Sequence, residues 1–425
     1  LRKPRILLIG GDGGRSGVPR HIRQVVRATS QLAELTVASD KNKGGYDFLA
    51  ESPARHVVVP GLRTSVWPPR WFRAARALQR VIVQEQPHLI WAHSRMGVLL
   101  LRLLAAGGVL PGNPELAVTF HGLPFGPGHR RWASALAIRV ERLLLRVGPR
   151  LGLVFLSTAA EELYRQEVGA EQYERHRVFT QPNCADLGAL SSPDQRTPDR
   201  DIIMTGRDAW QKDLARALRI FAALPGSYRL TLCGPGTDHS GFRVRARRIL
   251  GPGPLSRVRF MGEVSDIRPL LANADAYLLT SRYEGMPIGA LEAFEAGLPV
   301  ALSAIRGTEE IRELHPFCTE LSGGTGPDDA QEDALRLVSL TEAYRADPIA
   351  ARRDIRGAFQ KHFSFPEWAQ QMRLMTARLC WPETREGSDL PVPALKEGPP
   401  SGLEWTAARD GRFRAEQAPP PPPRI

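Results

Sequence analysis

Short apolar runs alternate with longer amphipathic stretches along most of the 425 residues, and this alternation narrows the possible folds more than any single residue does. In the first half the runs read as strands at Arg5–Ile9, Leu35–Ala38, His56–Val59, His88–Ala92, Ala117–Phe120, Leu153–Leu156 and Arg177–Phe179. Helical patterns such as Pro19–Ala28, Trp71–Gln84 and Ala133–Arg146 separate them. The second half repeats the scheme with Asp201–Met204, Arg229–Cys233, Val258–Met261, Ala276–Leu279 and Val300–Leu302. A strand that is followed each time by a helix must pair in parallel with its successor, so helices cover both faces of the sheet. Two such series predict an α/β protein with two doubly wound domains, over 1–186 and 201–360. The linker is expected at 187–200, where Ser, Pro, Asp and Gly carry no apolar period. A helix over 361–385 is expected to return to the N-terminal domain. Beyond it, 386–425 is rich in Pro, Gly and charge, ends in Pro419–Pro423, and is expected to be a disordered tail.

Composition excludes several function classes. Hydrophobic residues at 42% and charged residues at 24% are the mix of a globular protein with a core. No window reaches ~18 uninterrupted apolar residues, and the best candidate, Gly97–Leu110, is cut by Arg102, which makes it a buried or amphipathic helix. The run Ile6–Ile9 is too short for a signal peptide. Cys184, Cys233, Cys318 and Cys380 are scattered without metal or redox spacing, which favours a reducing compartment. The expected location is therefore cytoplasmic, and no bound metal or cofactor is expected. The net charge of +12 comes almost wholly from arginine and favours anionic partners such as nucleotide diphosphates or acidic lipids. Neither zinc-finger spacing nor an aromatic-basic RNA box is present, so nucleic acid is not an expected partner.

The chemistry concentrates in Ser281–Phe294. This stretch follows the strand Ala276–Leu279, and Pro287 stands where a helix can begin. A strand, a glycine turn and a helix N-terminus together offer backbone N–H groups and a positive dipole end to an anion. Gly285, Met286, Pro287 and Ile288 form that turn. Glu284 lies in the turn and Glu292 a little over one helical turn further on. Carboxylates beside a diphosphate cannot bind it, since like charges repel, but they accept hydrogen bonds from sugar and ribose hydroxyls. Read alone, two glutamates seven residues apart are a solvated turn residue and a helix-surface residue.

They are not alone. The stretch resembles the E-x7-E donor segment of family 4 retaining glycosyltransferases. Those enzymes have the GT-B fold, two Rossmann-like doubly wound domains facing a cleft. The likeness continues through Gly297–Val300 to Gly307-Thr308-Glu309-Glu310, which resembles the family's G-x-x-E turn. Upstream, Thr205-Gly206-Arg207-Asp208-Ala209-Trp210-Gln211-Lys212 resembles its G-R-…-K-G element, with Asp213 in place of the final glycine. The resemblance implies that Arg207 and Lys212 neutralise the donor diphosphate without a metal ion, a task suited to cationic clamps. It assigns the sugar to Glu284 and the ribose to Glu292.

In the first half, Gly10–Gly17 follows the opening strand and resembles the glycine loop that approaches the donor phosphates, with Gly14 and Gly17 as the expected contacts. Thr119-Phe120-His121-Gly122 resembles the family's T-x-H-G segment, whose histidine reaches the transferred sugar. His93 resembles a position on the acceptor side. Pro182-Asn183-Cys184-Ala185-Asp186 resembles a P-N-G-V-D turn, with Cys184 replacing glycine, and is read as structural.

The implied activity is retaining, metal-independent transfer of a hexose from a nucleotide-sugar to a glycan or lipid-linked acceptor. A GT-B sugar-nucleotide epimerase and a non-catalytic scaffold are the alternatives. Two segments, Pro69–Gln79 and His129–Arg146, combine arginine with aromatics. They suit peripheral contact with an anionic membrane at its inner face, or else core-facing stripes with solvated arginines.

Overall fold

Each apolar run of the first half becomes a strand of one parallel sheet. Its strands are β1 (Arg5–Ile9), β2 (Glu34–Ser39), β3 (Arg55–Val58), β4 (Leu89–Ala92), β5 (Glu115–Phe120), β6 (Gly152–Phe155) and β7 (Arg177–Thr180). The computed structural model describes residues 2–63, 68–190, 199–324, 326–381, 403–407 and 412–417. Strand order is β3-β2-β1-β4-β5-β6-β7, with every neighbour parallel. β1 and β4–β6 are buried nearly throughout, as expected for strands covered on both faces. Trp91 in β4 is fully buried, and its indole N–H donates to Thr119 Oγ1 on β5 at 2.8 Å.

The second sheet contains β8 (Arg200–Thr205), β9 (Tyr228–Cys233), β10 (Val258–Gly262), β11 (Ala276–Leu279), β12 (Val300–Ser303) and β13 (Cys318–Leu321). Its order is β10-β9-β8-β11-β12-β13, again wholly parallel. In both sheets the order reverses beside the first strand, between β1 and β4 and between β8 and β11. Such switch points open a crevice beyond the carboxyl ends of the strands, where α/β proteins bind ligands. β13 is not among the strands expected from the sequence: it is an edge strand whose Cys-Thr-Glu-Leu shows only Leu321 fully buried, so its apolar signal is faint.

Two units follow. One comprises Leu1–Phe125, Arg131–Pro182 and Ala369–Ile425, the other Gly126–Arg130 and Asn183–Trp368. Each has its own hydrophobic core, around Leu7, Ile90, Val118 and Leu153 in the first and around Met204, Leu218, Leu232 and Leu278 in the second. The helical end of the chain forms Pro327–Ala346, Pro348–Phe363 and Phe365–Cys380. From Ala369 the last helix belongs to the first unit, where Arg177 donates to the carbonyl of Arg378 at 2.9 Å.

Of the expected linker 187–200, residues 191–198 lie outside the described residues, and so does most of the expected tail 386–425. Two strands are described there, β14 (Leu403–Ala407) and β15 (Arg412–Gln417), where the sequence reading places no structure. They pair with each other antiparallel, and β15 adds to the edge of β7. Their sequences, Leu-Glu-Trp-Thr-Ala and Arg-Phe-Arg-Ala-Glu-Gln, alternate apolar and polar residues with the period of a strand, a local signal hidden within the tail's overall composition. Among the described residues no helix is long and apolar enough to cross a membrane.

Candidate active site

In the second unit, the turns after β8 and β11 meet at the switch point. Lys212 Nζ donates to Glu284 Oε1 at 2.6 Å, and Gln211 Nε2 reaches Glu284 Oε2 at 3.2 Å and the Tyr283 carbonyl at 3.0 Å. The Lys212 and Glu284 side chains are only 18% and 9% exposed, so Glu284 is not a solvated turn residue. Glu292 is buried, one helical turn along, and both glutamates act on the same hydroxyl. That hydroxyl is Tyr277's, which bonds to Thr205 Oγ1 at 2.8 Å and whose pKa is pushed up chiefly by burial, with Glu292 and Glu284 adding to the rise. Arg207, at the end of β8, is exposed and has no ion-pair partner among the described residues.

The backbone here is packed so closely that glycine is required. A Cβ on Gly289 would lie 2.2 Å from Thr205 Oγ1, and one on Gly307 would lie 2.1 Å from the Gly285 carbonyl oxygen. These contacts draw the start of the helix Ile288–Glu295 against β8 and the Gly307 turn against Gly285. Pro287 precedes that helix as its cap, rather than forming its first residue as the sequence reading has it. Proline's fixed φ suits either position, since its missing N–H would lack a helical partner in both. Gly285, Met286 and Pro287 are buried, and Ile288 opens the helix.

Two residues that depart from the family pattern have different explanations. Asp213 adopts φ 45° and ψ 51°, the left-handed conformation that glycine takes without strain. Its carboxylate offsets that strain by capping the helix Leu214–Ala222 through Arg216 N at 3.3 Å and by pairing with Arg282 at 2.6 Å. The acid is therefore neutralised by Arg282. Cys184 is buried and is not among the non-glycine residues of positive φ, which among the described residues are Gln86, Asn113 and Asp213. Its turn has no need of glycine. The neighbouring Asn183 has a part the sequence reading missed: its amide Nδ2 donates to the Met286 carbonyl at 2.9 Å and so holds the glycine turn from outside.

In the first unit, the loop after β1 packs tightly at Gly10, Gly11 and Gly13, where a Cβ would come within 2.6 Å of Tyr46, Ser94 or Lys41. Gly14 is open, its nearest such contact being Asp12 Oδ1 at 3.8 Å. Gly17 begins the helix Gly17–Thr29. Ser94 ties the loop to the turn after β4, donating to the Gly10 carbonyl at 2.7 Å and accepting from Gly97 N at 3.0 Å. His93 and His121 follow β4 and β5. Burial lowers the pKa of both well below the usual histidine value, and neighbouring His21 adds to the effect. Both rings are therefore neutral at physiological pH. Glu284, Glu292, Lys212, Arg207 and the Gly285–Ile288 turn thus belong to one unit, while Gly14, Gly17 and His121 belong to the other.

Comparison with known proteins agrees with this arrangement. Residues 16–184 match the glycosyl transferase 4-like domain, and residues 199–335 match glycosyl transferases group 1. The chain is 31% identical over 208 residues to glycogen synthase of Mycobacterium tuberculosis, covering 47% of this chain and 46% of that protein. It thus spans about half the length of that relative. Over 295 residues, 65% of this chain and 73% of the relative, it is 23% identical to the Escherichia coli UDP-Gal:alpha-D-GlcNAc-diphosphoundecaprenol alpha-1,3-galactosyltransferase. Among solved structures, Anabaena Alr3699/HepE in complex with UDP-glucose superposes with a TM-score of 0.69 at 17% identity, covering 88% of this chain and 99% of that one. Sucrose-phosphate synthase from Thermosynechococcus elongatus gives 0.70 at 18% identity, covering 89% and 99%. Both halves of the strand–helix series thus match known domains in the order in which they occur, and the chain belongs to the group 1, family 4 glycosyltransferases of the GT-B fold.

Proposed function

We propose that this chain is a retaining hexosyltransferase that takes its sugar from a nucleotide-sugar donor, uses no metal ion, and passes the sugar to a glycan or lipid-linked acceptor. The observation that carries the reading is the Lys212–Glu284 pair beside the N-terminus of the helix Ile288–Glu295, with unpaired Arg207 at the adjacent strand end. Arg207 and Lys212 supply the positive charge that a departing diphosphate needs, aided by the N–H groups of the Gly285–Ile288 turn. Glu284 and neutral His121 accept or share hydrogen bonds with sugar hydroxyls, and Glu292 takes the ribose. Gly14 and Gly17 let backbone approach the phosphates, and Gly14 fits this role because protein packing does not itself demand a glycine there. Retention follows if the diphosphate, still on the face it leaves, takes the proton of the incoming hydroxyl, so that catalysis is positioning plus charge stabilisation.

The acceptor side draws on a second observation. On the helix Arg131–Val147, Trp132, Leu136, Val140, Leu143 and Val147 line one face and are 39–66% exposed. The buried residues of that helix are Glu141, Leu144 and Leu145, with Glu141 held by buried Arg102 at 2.6 Å and by Tyr164 at 2.7 Å. The stripe therefore faces outward, flanked by exposed Arg131, Arg139, Arg142 and Arg146. An apolar face edged with arginine suits the interface of an anionic membrane, where a lipid-linked acceptor would be presented. In the other segment Trp71 packs partly against the core, while Phe72 is exposed.

Thermal shift against UDP-, GDP- and ADP-hexoses in EDTA tests the reading. A donor at 100 times its Kd stabilises the fold by about 2.7 kcal/mol, so one of them should raise the melting temperature by several degrees. No shift with any of them would overturn it. The stabilising donor incubated alone should stay intact, which separates transfer from epimerisation. With acceptor supplied, proton NMR should show the donor's anomeric configuration in the product.

A further inference from the structure

Three histidines from three separate elements meet in the first unit. His21 lies on the helix Gly17–Thr29, His93 just beyond β4 and His121 just beyond β5. One ring nitrogen from each lies within 4.8 Å of those of the other two. The ring centroids are 4.6 Å apart for His21 and His121, 5.2 Å for His21 and His93, and 5.9 Å for His93 and His121. His93 is 1% exposed, yet neither of its ring nitrogens has a protein hydrogen-bond partner, and His121 Nε2 likewise has none. Buried polar atoms are seldom left unpaired, so three such atoms in two adjacent rings call for an explanation. The rings bring lone-pair donors together from the ends of two paired strands, β4 and β5, and from a helix.

We infer that His21, His93 and His121 form a binding site for one divalent transition-metal ion of the zinc type. Imidazole is the ligand such ions favour, three of them leave a coordination position open, and nitrogens within 4.8 Å close to metal-bound spacing through small ring rotations. The Lys212–Glu284 machinery needs no such ion. The inference rests on the proposed function for one consequence only: an ion held here occupies His121 and takes it from the sugar, so zinc inhibits transfer.

The test uses the full chain freed of metal by chelation. Calorimetric titration with zinc should show one tight site, and cobalt(II) should give the visible absorption of a four- or five-coordinate nitrogen-ligated ion. His21→Ala and His93→Ala should each weaken zinc by at least about a hundredfold, more than the tenfold to hundredfold typical of losing a mere supporting partner. His21→Gln and His93→Gln, with melting curves recorded for every variant, guard against misfolding, and zinc should raise the melting temperature of the wild type alone. Zinc affinity unchanged by the histidine variants, or no binding below roughly 100 µM (about 5.5 kcal/mol), would overturn the site. Tight binding at the histidines without inhibition of transfer would leave the site standing and count against His121 as a sugar contact.

Discussion

Replacing either member of the Lys212–Glu284 pair should separate sugar recognition from diphosphate recognition. In Glu284→Gln the shape is kept, but the oxygen 2.6 Å from Lys212 Nζ loses its charge. Sugar hydroxyls then meet a neutral acceptor, and losing a charge-assisted hydrogen bond costs ~1.5–3 kcal/mol, a tenfold to hundredfold loss of affinity for the intact donor. The same change releases Lys212, only 18% exposed, from its carboxylate partner and leaves more of its charge for a phosphate. Free nucleoside diphosphate should therefore bind unchanged or up to about tenfold more tightly. Lys212→Ala should weaken both ligands by roughly tenfold to a hundredfold, because both carry the diphosphate. Each single change leaves a part-buried polar group without its main partner, so Lys212→Met combined with Glu284→Gln should melt higher than Lys212→Met alone. Calorimetric titration of donor and free diphosphate into the variants reads the result. If Glu284→Gln weakened the free diphosphate as much as the donor, Glu284 would not be the sugar contact, and the roles assigned to this turn would have to be redrawn.

Three further expectations rest on separate features. Asp213→Ala should destabilise the fold by ~2–4 kcal/mol, from a lost cap and left-handed strain, while Asp213→Gly should cost about 1 kcal/mol less; equal melting temperatures would refute the conformational argument. Burial raises the Glu295 carboxyl to about 7 despite the Leu187 N–H it accepts, so its neutral form favours the fold, and stability should fall as pH rises from 4.5 to about 7. With solvent screening the effect should be ~1–2 kcal/mol, and Glu295→Gln should remove it; an unchanged pH slope in that variant would rule it out. Vesicles with anionic lipid should retain the protein at low salt and release it at high salt, and Trp132→Ser with Leu136→Ser and Leu143→Ser should cut retention at least about tenfold. Retention equal to wild type would show the stripe to be ordinary surface.

The inner strands were legible because they are buried on both faces and read as apolar runs, as Ile6–Ile9 and Ala276–Leu279 do. An edge strand such as β13 carries a fainter signal. The Lys212 and Glu284 motifs were visible one by one, but their direct pairing was not, because 72 residues separate them and only the neighbouring places of β8 and β11 in the sheet bring them together. Asp213 stands where the family pattern has glycine, and the reasons, its left-handed backbone and its bond to Arg282, exist only in three dimensions. Asn183 stands in a recognisable turn motif, yet its hold on the Met286 carbonyl follows from tertiary packing alone. The outward stripe on Arg131–Val147 has the period of a core-facing helix, and which face is buried was decided by the Glu141–Arg102 anchor, not by periodicity.

A crystal structure of the full chain with an intact nucleotide-sugar, grown in EDTA with whichever donor raises the melting temperature most, decides where the donor lies. Diphosphate oxygens should lie at hydrogen-bond distance, about 2.7–3.2 Å, from Lys212 Nζ, the Arg207 guanidinium and the N–H groups of the Gly285–Ile288 turn. Sugar hydroxyls should lie on the Glu284 carboxylate and ribose hydroxyls on Glu292. A donor bound elsewhere, or one whose diphosphate touches neither Lys212 nor Arg207, would contradict this placement.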